Sequence, residues 1–418
     1  ALPISTLLAI YTHAWQVGRV LVVAPKRVAE MTWPEEVSKW FPKRLTYQAF
    51  TGSASELERF NATSGGEDIT ILSVEAMTRL VDANKRKWKT RTPWQWIVFD
   101  ESSLYKSGGQ QGSNRNKAAK FLAKRAEYVT LLTGTPATNG LADLYGQFEL
   151  LDGGACLGRT LTDFRNTFFT YNEYSRKYTL KPGMGKAIQR KVKPYVLSFE
   201  AKDYLDIPET IYNDVRVRLP DALREKYETL EAEFVLETDG EDFAAFSEGA
   251  ASMKLRQFCN GAVYTEDKRV VDVHNLKLDA LEDVLLGLAG QPLLLGYNFI
   301  HDFERIKKRF KFATHVDEKG ALDRWKKGQV RLLCGHPASM GHGLNIAEGG
   351  CNTLWFGETF NFEHILQFEA RLGGARGVGK QPVVHRILVE DSVEDRVAQA
   401  RLVKGATMAE LMRAAKGG

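Results

Sequence analysis

The chain has 418 residues, of which 44% are hydrophobic and 26% are charged, and its formal net charge is +5. This composition is typical of a folded globular protein and excludes a largely disordered chain, while the length predicts two or three domains. The four cysteines are far apart and form no CxxC pair, which argues against a disulfide scaffold and a zinc cluster.

Short apolar runs alternate with amphipathic stretches through the first third of the chain. The runs predicted as strands are residues 19–24, 45–50, 68–73, 95–100 and 127–133. Helical patterns separate them, for example at 54–60 and 116–124. Alternating strands and helices favour a parallel, doubly wound sheet. We therefore predict a first α/β domain over residues 1–150.

Residues 151–270 interrupt this alternation and are rich in aromatic and basic side chains. Helical patterns at 221–236 and 250–258 favour a mostly helical connecting module here. The alternation then returns, which predicts a second parallel-sheet domain over residues 271–418. Its predicted strands are residues 292–296, 330–334, 352–356 and 383–389, and its predicted helices are residues 277–288, 302–310, 363–372 and 393–402.

Two adjacent carboxylates, Asp100 and Glu101, end a buried strand, and the polar turn Thr133–Pro136 follows the next strand. A carboxylate at such a strand end can bind a divalent metal while its neighbour activates water, as nucleotide hydrolysis requires. We predict that Asp100 contacts Mg²⁺ through water and that Glu101 aligns the attacking water. The alternative is that the pair caps the following turn.

The helix predicted at 363–372 carries Arg371, and Arg376 follows it after a Gly pair. An arginine from the second domain can neutralise charge on a transferring phosphoryl group, which raises the rate by about 10³ to 10⁵. We therefore predict that these two arginines face Asp100 and Glu101 across a shared cleft. The alternative is a surface helix with solvated arginines.

The Gly-rich phosphate loop that normally precedes the first helix of such an ATPase is not found in this sequence. The opening residues resemble the helix after that loop, and residue 1 is Ala, so we expect a longer parent protein that carries the loop upstream. Residues 183–186 and 374–380 contain Gly and Lys but lack the metal-binding Ser or Thr, and are interpreted as turns. Without the phosphate loop, this 418-residue chain is expected to bind ATP poorly.

These residues together resemble superfamily two helicases, and among them the Swi/Snf-like translocases of compact phage type. The similarity covers nearly the whole chain. Its segments are residues 22–27 (motif Ia), 100–103 (motif II), 132–139 (motif III), 255–260 (entry to the second lobe), 292–297 (motif IV), 339–345 (motif V) and 367–376 (motif VI). Motif I is absent, and a Gly pair lengthens motif VI, which affects the alignment of Arg376.

The resemblance implies two RecA-like domains of the P-loop NTPase type that use ATP and Mg²⁺ and step along nucleic acid. It also implies that Thr133, Gly343 and Gln367 contact the nucleotide. Because stepping cannot depend on base identity, the expected DNA contacts are to phosphates. The residues predicted for them are Lys26, Arg27, Ser73, Lys106, Arg115, Thr135, Ser339 and Asn345.

The Asp-Glu-Ser-Ser and Thr-Gly-Thr-Pro segments differ from those of DEAD-box RNA helicases and favour DNA as the track. The resemblance to Swi/Snf-like enzymes implies that this DNA is double-stranded. Two alternatives remain open: a motor remnant that binds nucleic acid without hydrolysis, and a single-strand DNA helicase of recombination. Basic stretches at 85–91 and 176–193 are either solvated faces or further DNA contacts, and the second is preferred. No membrane partner is expected, and the predicted location is the cytoplasm, that of the bacterial host if the protein is phage-encoded.

Overall fold

A computed structural model of the chain describes residues 6, 9–10, 18–52, 67–107, 112–173, 177–198, 206, 208–237, 250–340, 346–372 and 380–416. The described residues fall into two compact units. The first unit lies within Ala1–Asn172, Arg176–Leu197 and Glu410–Gly418, and the second within Glu173–Ser175 and Ser198–Ala409. Within the described ranges, no helix combines the length and the apolar character needed to cross a membrane.

The first unit is built on a five-stranded sheet in the order β2-β3-β1-β4-β5, with every pairing parallel. Its strands are β1 (Val20–Ala24), β2 (Tyr47–Phe50), β3 (Ile69–Ser73), β4 (Trp96–Asp100) and β5 (Tyr128–Leu132). The central strands are β-branched and aliphatic because both faces are buried: one core cluster lies on each side, the first containing Leu21 and Ile97 and the second Val22 and Val98.

The helices of the first unit cover these two faces and then extend into a smaller substructure. They are α1 (Trp33–Trp40), α2 (Val74–Asn84), α3 (Asn114–Ala123), α4 (Leu144–Asp152), α5 (Leu161–Phe168) and α6 (Met184–Val192). Between α5 and α6 lies an antiparallel hairpin formed by β6 (Phe169–Asn172) and β7 (Lys177–Leu180). A capping box at Thr160 and Asp163 fixes the start of α5.

The second unit contains a six-stranded parallel sheet in the order β12-β13-β11-β14-β15-β8 and a separate small hairpin, β9–β10. Its strands are β8 (Ile211–Val217), β9 (Ala262–Tyr264), β10 (Val270–Asp272), β11 (Leu293–Gly296), β12 (Ala313–His315), β13 (Leu332–Gly335), β14 (Asn352–Trp355) and β15 (Val383–Val389). Its helices are α7 (Asp221–Glu237), α8 (Ala250–Asn260), α9 (Leu276–Gly287), α10 (Ile300–Arg309), α11 (Ala321–Lys326), α12 (Pro337–Met340), α13 (Phe362–Glu369) and α14 (Val393–Lys416), whose residues from Glu410 onward are assigned to the first unit.

The predicted α/β class with two parallel-sheet units is confirmed, and nine predicted strands lie within two residues of observed ones. The helix predicted at 54–60 lies outside the described residues. The predicted helical module differs from the structure in its strands: β6 to β10 all lie in residues 151–270, and β8 joins the second sheet beside β15. The boundaries 1–150, 151–270 and 271–418 otherwise stay a prediction.

Candidate active site

The carboxyl ends of four neighbouring strands of the first sheet lie in register. Ala24 of β1 pairs with Ser73 of β3, Val23 of β1 pairs with Phe99 of β4, and Asp100 pairs with Leu132 of β5. The residues that immediately follow these strands are therefore neighbours at one edge of the sheet. Ligands of open parallel sheets bind at this edge, and here it brings together motifs Ia, II and III.

Asp100 is half-buried, and both of its carboxylate oxygens accept hydrogen bonds. The indole Nε1–H of Trp33 donates to Oδ2 at 2.8 Å, and the backbone N–H of Glu101 donates to Oδ1 at 3.0 Å. Trp33 begins α1 and is fully buried, so its ring is held rigidly. The indole therefore fixes the orientation of the carboxylate, a role that sequence reasoning did not assign to it.

Trp33 and Trp40 are seven residues apart, a spacing that predicts two core anchors on one helix. Trp33 fits this prediction, but for Trp40 it is wrong, because Trp40 is the last residue of α1 and is 49% exposed. The indole of Trp40 instead donates to Glu36 Oε2 at 2.7 Å on the surface of the helix.

Glu101 adopts a left-handed backbone conformation, with φ 54° and ψ 57°. It lies directly before a short 3₁₀ turn, Ser102–Tyr105, and its carbonyl oxygen accepts the N–H of Leu104 at 3.0 Å. For a residue other than glycine this conformation costs about 1 to 2 kcal/mol, and such strain is concentrated at functional sites. A glycine would adopt this backbone conformation at a lower cost than glutamate does.

Gln147 of α4 connects motif II to the motif III turn. It is buried, and its Oε1 accepts the hydroxyl of Ser102 at 2.9 Å while its Nε2 donates to the carbonyl of Pro136 at 2.6 Å. A second bond from Nε2 reaches the Asp143 carbonyl at 3.1 Å. The amide thus holds the segment after Glu101 at a fixed separation from the turn at 133–136.

The turn itself is ordered by local bonds. The hydroxyl of Thr133 accepts the backbone N–H of Thr135 at 3.0 Å, and Thr133 is half-buried. Thr135 is 5% exposed, and its hydroxyl has no hydrogen-bond partner within the described part of the chain. Lys106 donates to the Thr138 hydroxyl at 3.3 Å, which attaches the residues after motif II to the same turn.

The remaining DNA candidates of the first unit differ in accessibility. Lys26 and Arg115 are exposed and Arg27 is half-buried, so all three can present charge to a phosphate. The prediction for Ser73 is wrong, because its side chain is fully buried and is the N-cap of α2. The hydroxyl accepts the N–H of Ala76 at 3.0 Å and donates to the Thr51 carbonyl at 3.0 Å, which leaves it no capacity for DNA.

In the second unit, the described candidates follow β13 and β14. Ser339 is exposed on α12, and its hydroxyl donates to the His336 carbonyl at 2.8 Å. Gln367 is half-buried on α13 and donates to Glu363 at 3.3 Å. Arg371 is the second residue after the end of α13 and is 6% exposed. Gly343, Asn345 and Arg376 lie outside the described residues, so their predicted roles stay predictions.

A buried charged network lies below this edge of the second sheet. The ammonium group of Lys277 is 2.6 Å from Glu394 Oε1 and 3.0 Å from both Asn260 Oδ1 and the Phe356 carbonyl oxygen. Lys277 and Glu394 are at most 1% exposed. All three ammonium protons therefore have partners, and one lysine connects α9, α8, α14 and the end of β14.

Glu358, which follows β14, is 2% exposed. Burial raises the pKa of its carboxyl to about 7, although the guanidinium of Arg401, 3.2 Å away, acts in the opposite direction. The group therefore titrates near neutral pH, and its charge state affects the stability of this unit.

The residues at the edge of the first sheet fit a magnesium ion that is bound together with a nucleotide. Mg²⁺ usually keeps several waters and takes one or two protein carboxylates together with substrate phosphates. Asp100 offers an oriented carboxylate of this kind. Within the described ranges, no cluster of three or more His, Cys, Asp or Glu side chains could hold a metal without such help.

Comparisons with known proteins agree with this arrangement of motifs. The family described as the SNF2-related domain matches residues 3–263 of this chain. A protein of Acyrthosiphon pisum secondary endosymbiont phage 1, described as putative protein p41, is 32% identical over all of this chain and 92% of its own length. The DNA annealing helicase and endonuclease ZRANB3 of Bos taurus is 25% identical over 40% of this chain and 14% of its own length.

A solved structure, the Sulfolobus solfataricus SWI2/SNF2 ATPase core in complex with dsDNA, has a TM-score of 0.42 and 17% identity, and the match covers 98% of this chain and 86% of that one. Similar proteins from animals, plants and fission yeast are much longer, and this chain spans between 10% and 24% of their lengths.

Proposed function

This chain belongs to the SNF2-related domain family, and from that premise we propose that it forms the core of a DNA-dependent ATP hydrolase that moves along duplex DNA. The observation that best supports the proposal is the edge of the first sheet. Asp100, Glu101 and the Thr133–Pro136 turn follow adjacent parallel strands there, and Trp33 and Gln147 fix their geometry.

Each side chain at this edge has a role that suits its surroundings. The carboxylate of Asp100, oriented by Trp33, would hold Mg²⁺, and that ion would supply charge neutralisation for the phosphates. Glu101 orients the attacking water and accepts its proton. Thr133 lies one residue beyond the strand that pairs with β4, and we propose that it contacts the nucleotide.

Four residues of the second unit are proposed to act on the nucleotide. Arg371 and Arg376 neutralise the charge that develops on the transferred phosphoryl group, and Gln367 and Gly343 contact the nucleotide. The guanidinium of an arginine suits this role because its planar donors match phosphate oxygens and it stays charged at any physiological pH.

The protein is proposed to contact the phosphate groups of the DNA backbone, so that binding does not depend on the base sequence. Exposed or half-buried side chains provide the positive charge in the first unit, at Lys26, Arg27, Lys106 and Arg115. Thr135, Ser339 and Asn345 are proposed to contribute uncharged contacts. Because such contacts carry no sequence information, the protein is expected to bind different duplexes with similar affinity.

Hydrolysis by the full-length protein, including any residues that precede Ala1, tests this proposal. Glu101→Gln removes the base but keeps the shape of the side chain, so it should lower DNA-stimulated ATP hydrolysis by about 10² to 10⁴-fold and leave ATP binding intact. Glu35→Gln, on the exposed side of α1, makes the same charge change and should have no effect.

Three outcomes would contradict the proposal. Retained turnover in Glu101→Gln would place the base elsewhere. Normal DNA binding without stimulated hydrolysis in the unaltered protein would indicate a motor remnant that binds nucleic acid. Strand separation without displacement of a third strand from a triplex would indicate a single-strand helicase, and not a motor that tracks along duplex DNA.

A further inference from the structure

One substructure of the first unit carries a large net positive charge, and we name it the basic hairpin module and define it as residues 161–198. It contains α5, the β6–β7 hairpin and α6. The module holds eight Lys or Arg and two Asp or Glu, a net charge of +6. The whole chain has 57 basic and 52 acidic residues, so 49 basic and 50 acidic residues remain elsewhere. The rest of the chain is therefore close to neutral, at −1.

The module is firmly attached to the first unit through an aromatic cluster. Phe164 is fully buried, and its ring lies 5.4 Å from Phe168, 5.3 Å from Phe169 and 5.3 Å from Tyr145 of α4. Aromatic pairs at such distances stabilise by about 0.5 to 1.5 kcal/mol each beyond the area they bury. The hairpin thus has a rigid base.

The outer side of the hairpin, in contrast, is open to solvent. Tyr171 and Tyr178 are directly opposite each other on the two strands, with ring centroids 4.9 Å apart, and they are 46% and 41% exposed. The guanidinium of Arg165 lies over the Tyr178 ring at 4.6 Å. A cross-strand tyrosine pair of this kind stiffens the hairpin, and the cation held against it adds positive charge to the exposed side.

Helix α6 separates its apolar and basic residues onto opposite sides. Ile188 and Val192 are buried, whereas Lys186 and Arg190, which are also four residues apart, are exposed. Side chains four residues apart lie on the same side of a helix. The sequence of α6 contains no Asp or Glu that could pair with them. Lys186 and Arg190 therefore form one basic stripe opposite the buried side.

Other lysines of the module have structural roles. Lys181 donates to the carbonyls of Asn166 and Thr167 at 2.5 and 3.3 Å, at the end of α5. Lys191 donates to the Cys156 carbonyl at 3.2 Å. These bonds account for two of the eight basic residues, but they do not account for the stripe on α6.

The beginning of α6 packs beside the segment that follows motif III. A Cβ atom placed on Gly185 would be 3.6 Å from the side chain of Leu141, and Leu141 follows the Thr133–Pro136 turn by five residues. This contact is a second attachment of the basic hairpin module to the first unit.

We propose that Lys186 and Arg190 bind the phosphate backbone of duplex DNA and extend the contact surface of the first unit onto the basic hairpin module. A solvated basic face is the ordinary interpretation of exposed lysines, but only two acidic residues accompany the eight basic residues of this module, and α6 itself contains none. The choice of DNA as the partner rests on the proposed function. The phosphate chemistry rests on the charge and exposure of the module.

The salt dependence of binding tests this directly, because each phosphate contact to B-DNA contributes about 0.9 to the slope of log K against log salt. The assay measures the fluorescence anisotropy of a short labelled duplex with the full chain, without ATP, between about 50 and 200 mM salt. Lys186→Gln with Arg190→Gln should reduce the slope by about 1.8. It should also lower the affinity for duplexes of different sequence by the same factor.

A matched control removes the same charge elsewhere. Lys326 and Lys327, at the end of α11 in the second unit, are exposed, and Lys326→Gln with Lys327→Gln should leave the slope unchanged. Reversing the charges, with Lys186→Glu and Arg190→Glu, should weaken binding further than neutralising them. Because all four positions are on the surface, circular dichroism should be unchanged in every variant.

An unchanged slope in the Lys186 and Arg190 variant would overturn the proposal, and so would an equal change in the control, which would mean that only the overall charge matters. A larger loss of affinity for single-stranded DNA than for duplex DNA would overturn the duplex assignment. Intact DNA binding with loss of an acidic protein partner would assign the surface to that partner. Since the assay contains no ATP, a failure here leaves DNA-stimulated hydrolysis untouched, and a failure of hydrolysis leaves this result interpretable.

Discussion

Replacing Lys277 with methionine should strongly destabilise the second unit. Methionine keeps most of the apolar stem but removes the ammonium group, which has three partners, among them Glu394 at 2.6 Å. Glu394 is itself buried, so the substitution leaves a carboxylate without its counter-charge. Breaking a buried pair from one side costs about 3 to 5 kcal/mol, and we expect a loss of free energy of unfolding in this range.

The double variant Lys277→Met with Glu394→Gln separates the ion pair from the packing. Glutamine keeps an oxygen for the backbone N–H of Val389, 2.8 Å from Glu394 Oε2 in the native protein, but it carries no charge. Neutralising both partners is often close to neutral for stability, so the double variant should recover most of the loss. As a control, Arg309→Met removes a partly exposed partner of Asp279 and should cost less than about 1 kcal/mol.

The measurement should report on the second unit alone, because the two units need not unfold together. Pulse-labelling hydrogen exchange in increasing urea, read on peptides from β14 and α14, provides this resolution. A loss below about 1 kcal/mol in Lys277→Met, the scale of an exposed pair, would refute the reasoning. The reasoning would also be refuted if the loss of free energy of unfolding in the double variant equalled the sum of the losses in Lys277→Met and Glu394→Gln, since the two residues would then not be coupled.

Three further predictions concern the candidate site and the titration of Glu358. Trp33→Phe removes the donor to Asp100, and a hydrogen bond to a charged group contributes about 1.5 to 3 kcal/mol. The Mg²⁺ concentration for half-maximal hydrolysis should therefore rise by about 10- to 100-fold while DNA affinity is unchanged. An unaltered Mg²⁺ titration would contradict the role of the indole. Arg371→Ala should slow hydrolysis by about 10³ to 10⁵-fold and affect DNA affinity far less, whereas equal losses would assign Arg371 to DNA binding or to structure. The raised pKa of Glu358 means that its carboxyl stabilises the folded state fully below the ordinary value of 4.5 and loses this contribution as pH rises to about 7. Glu358→Gln should therefore gain stability relative to the native protein between these pH values, as measured by urea unfolding, and a constant difference would show that Glu358 does not titrate there.

Much of the fold was predictable because both sheets are buried on two sides. Strands such as β4 and β11 are continuous apolar runs, and that pattern identifies them without any knowledge of their neighbours. Strand β8 lacks the pattern, because it lies at the edge of its sheet and contains both polar and apolar residues, most of them exposed. Its partner β15 follows it by 172 residues, a separation that no local pattern reveals.

The candidate site was predictable only where chemistry and strand ends coincide. Asp100 and Glu101 stand out as carboxylates after an apolar run. The bond from Trp33 was not predictable, because it spans 67 residues and depends on how α1 packs. Ser73 shows the opposite error: a small polar residue at a strand end suits a phosphate contact and a helix N-cap equally well, and here it is the cap.

The pairing of β8 with β15 also determines when the second sheet can be completed during synthesis. Strand β8 is the first strand of this sheet to leave the ribosome, yet the strand it pairs with is the last. At about 5 to 20 residues per second, the 172 residues between the paired positions take roughly 10 to 30 s to translate. A nascent chain halted before residue 383 holds β8 without its only neighbour in the sheet, so the backbone groups that pair with β15 stay unpaired by that strand during this interval.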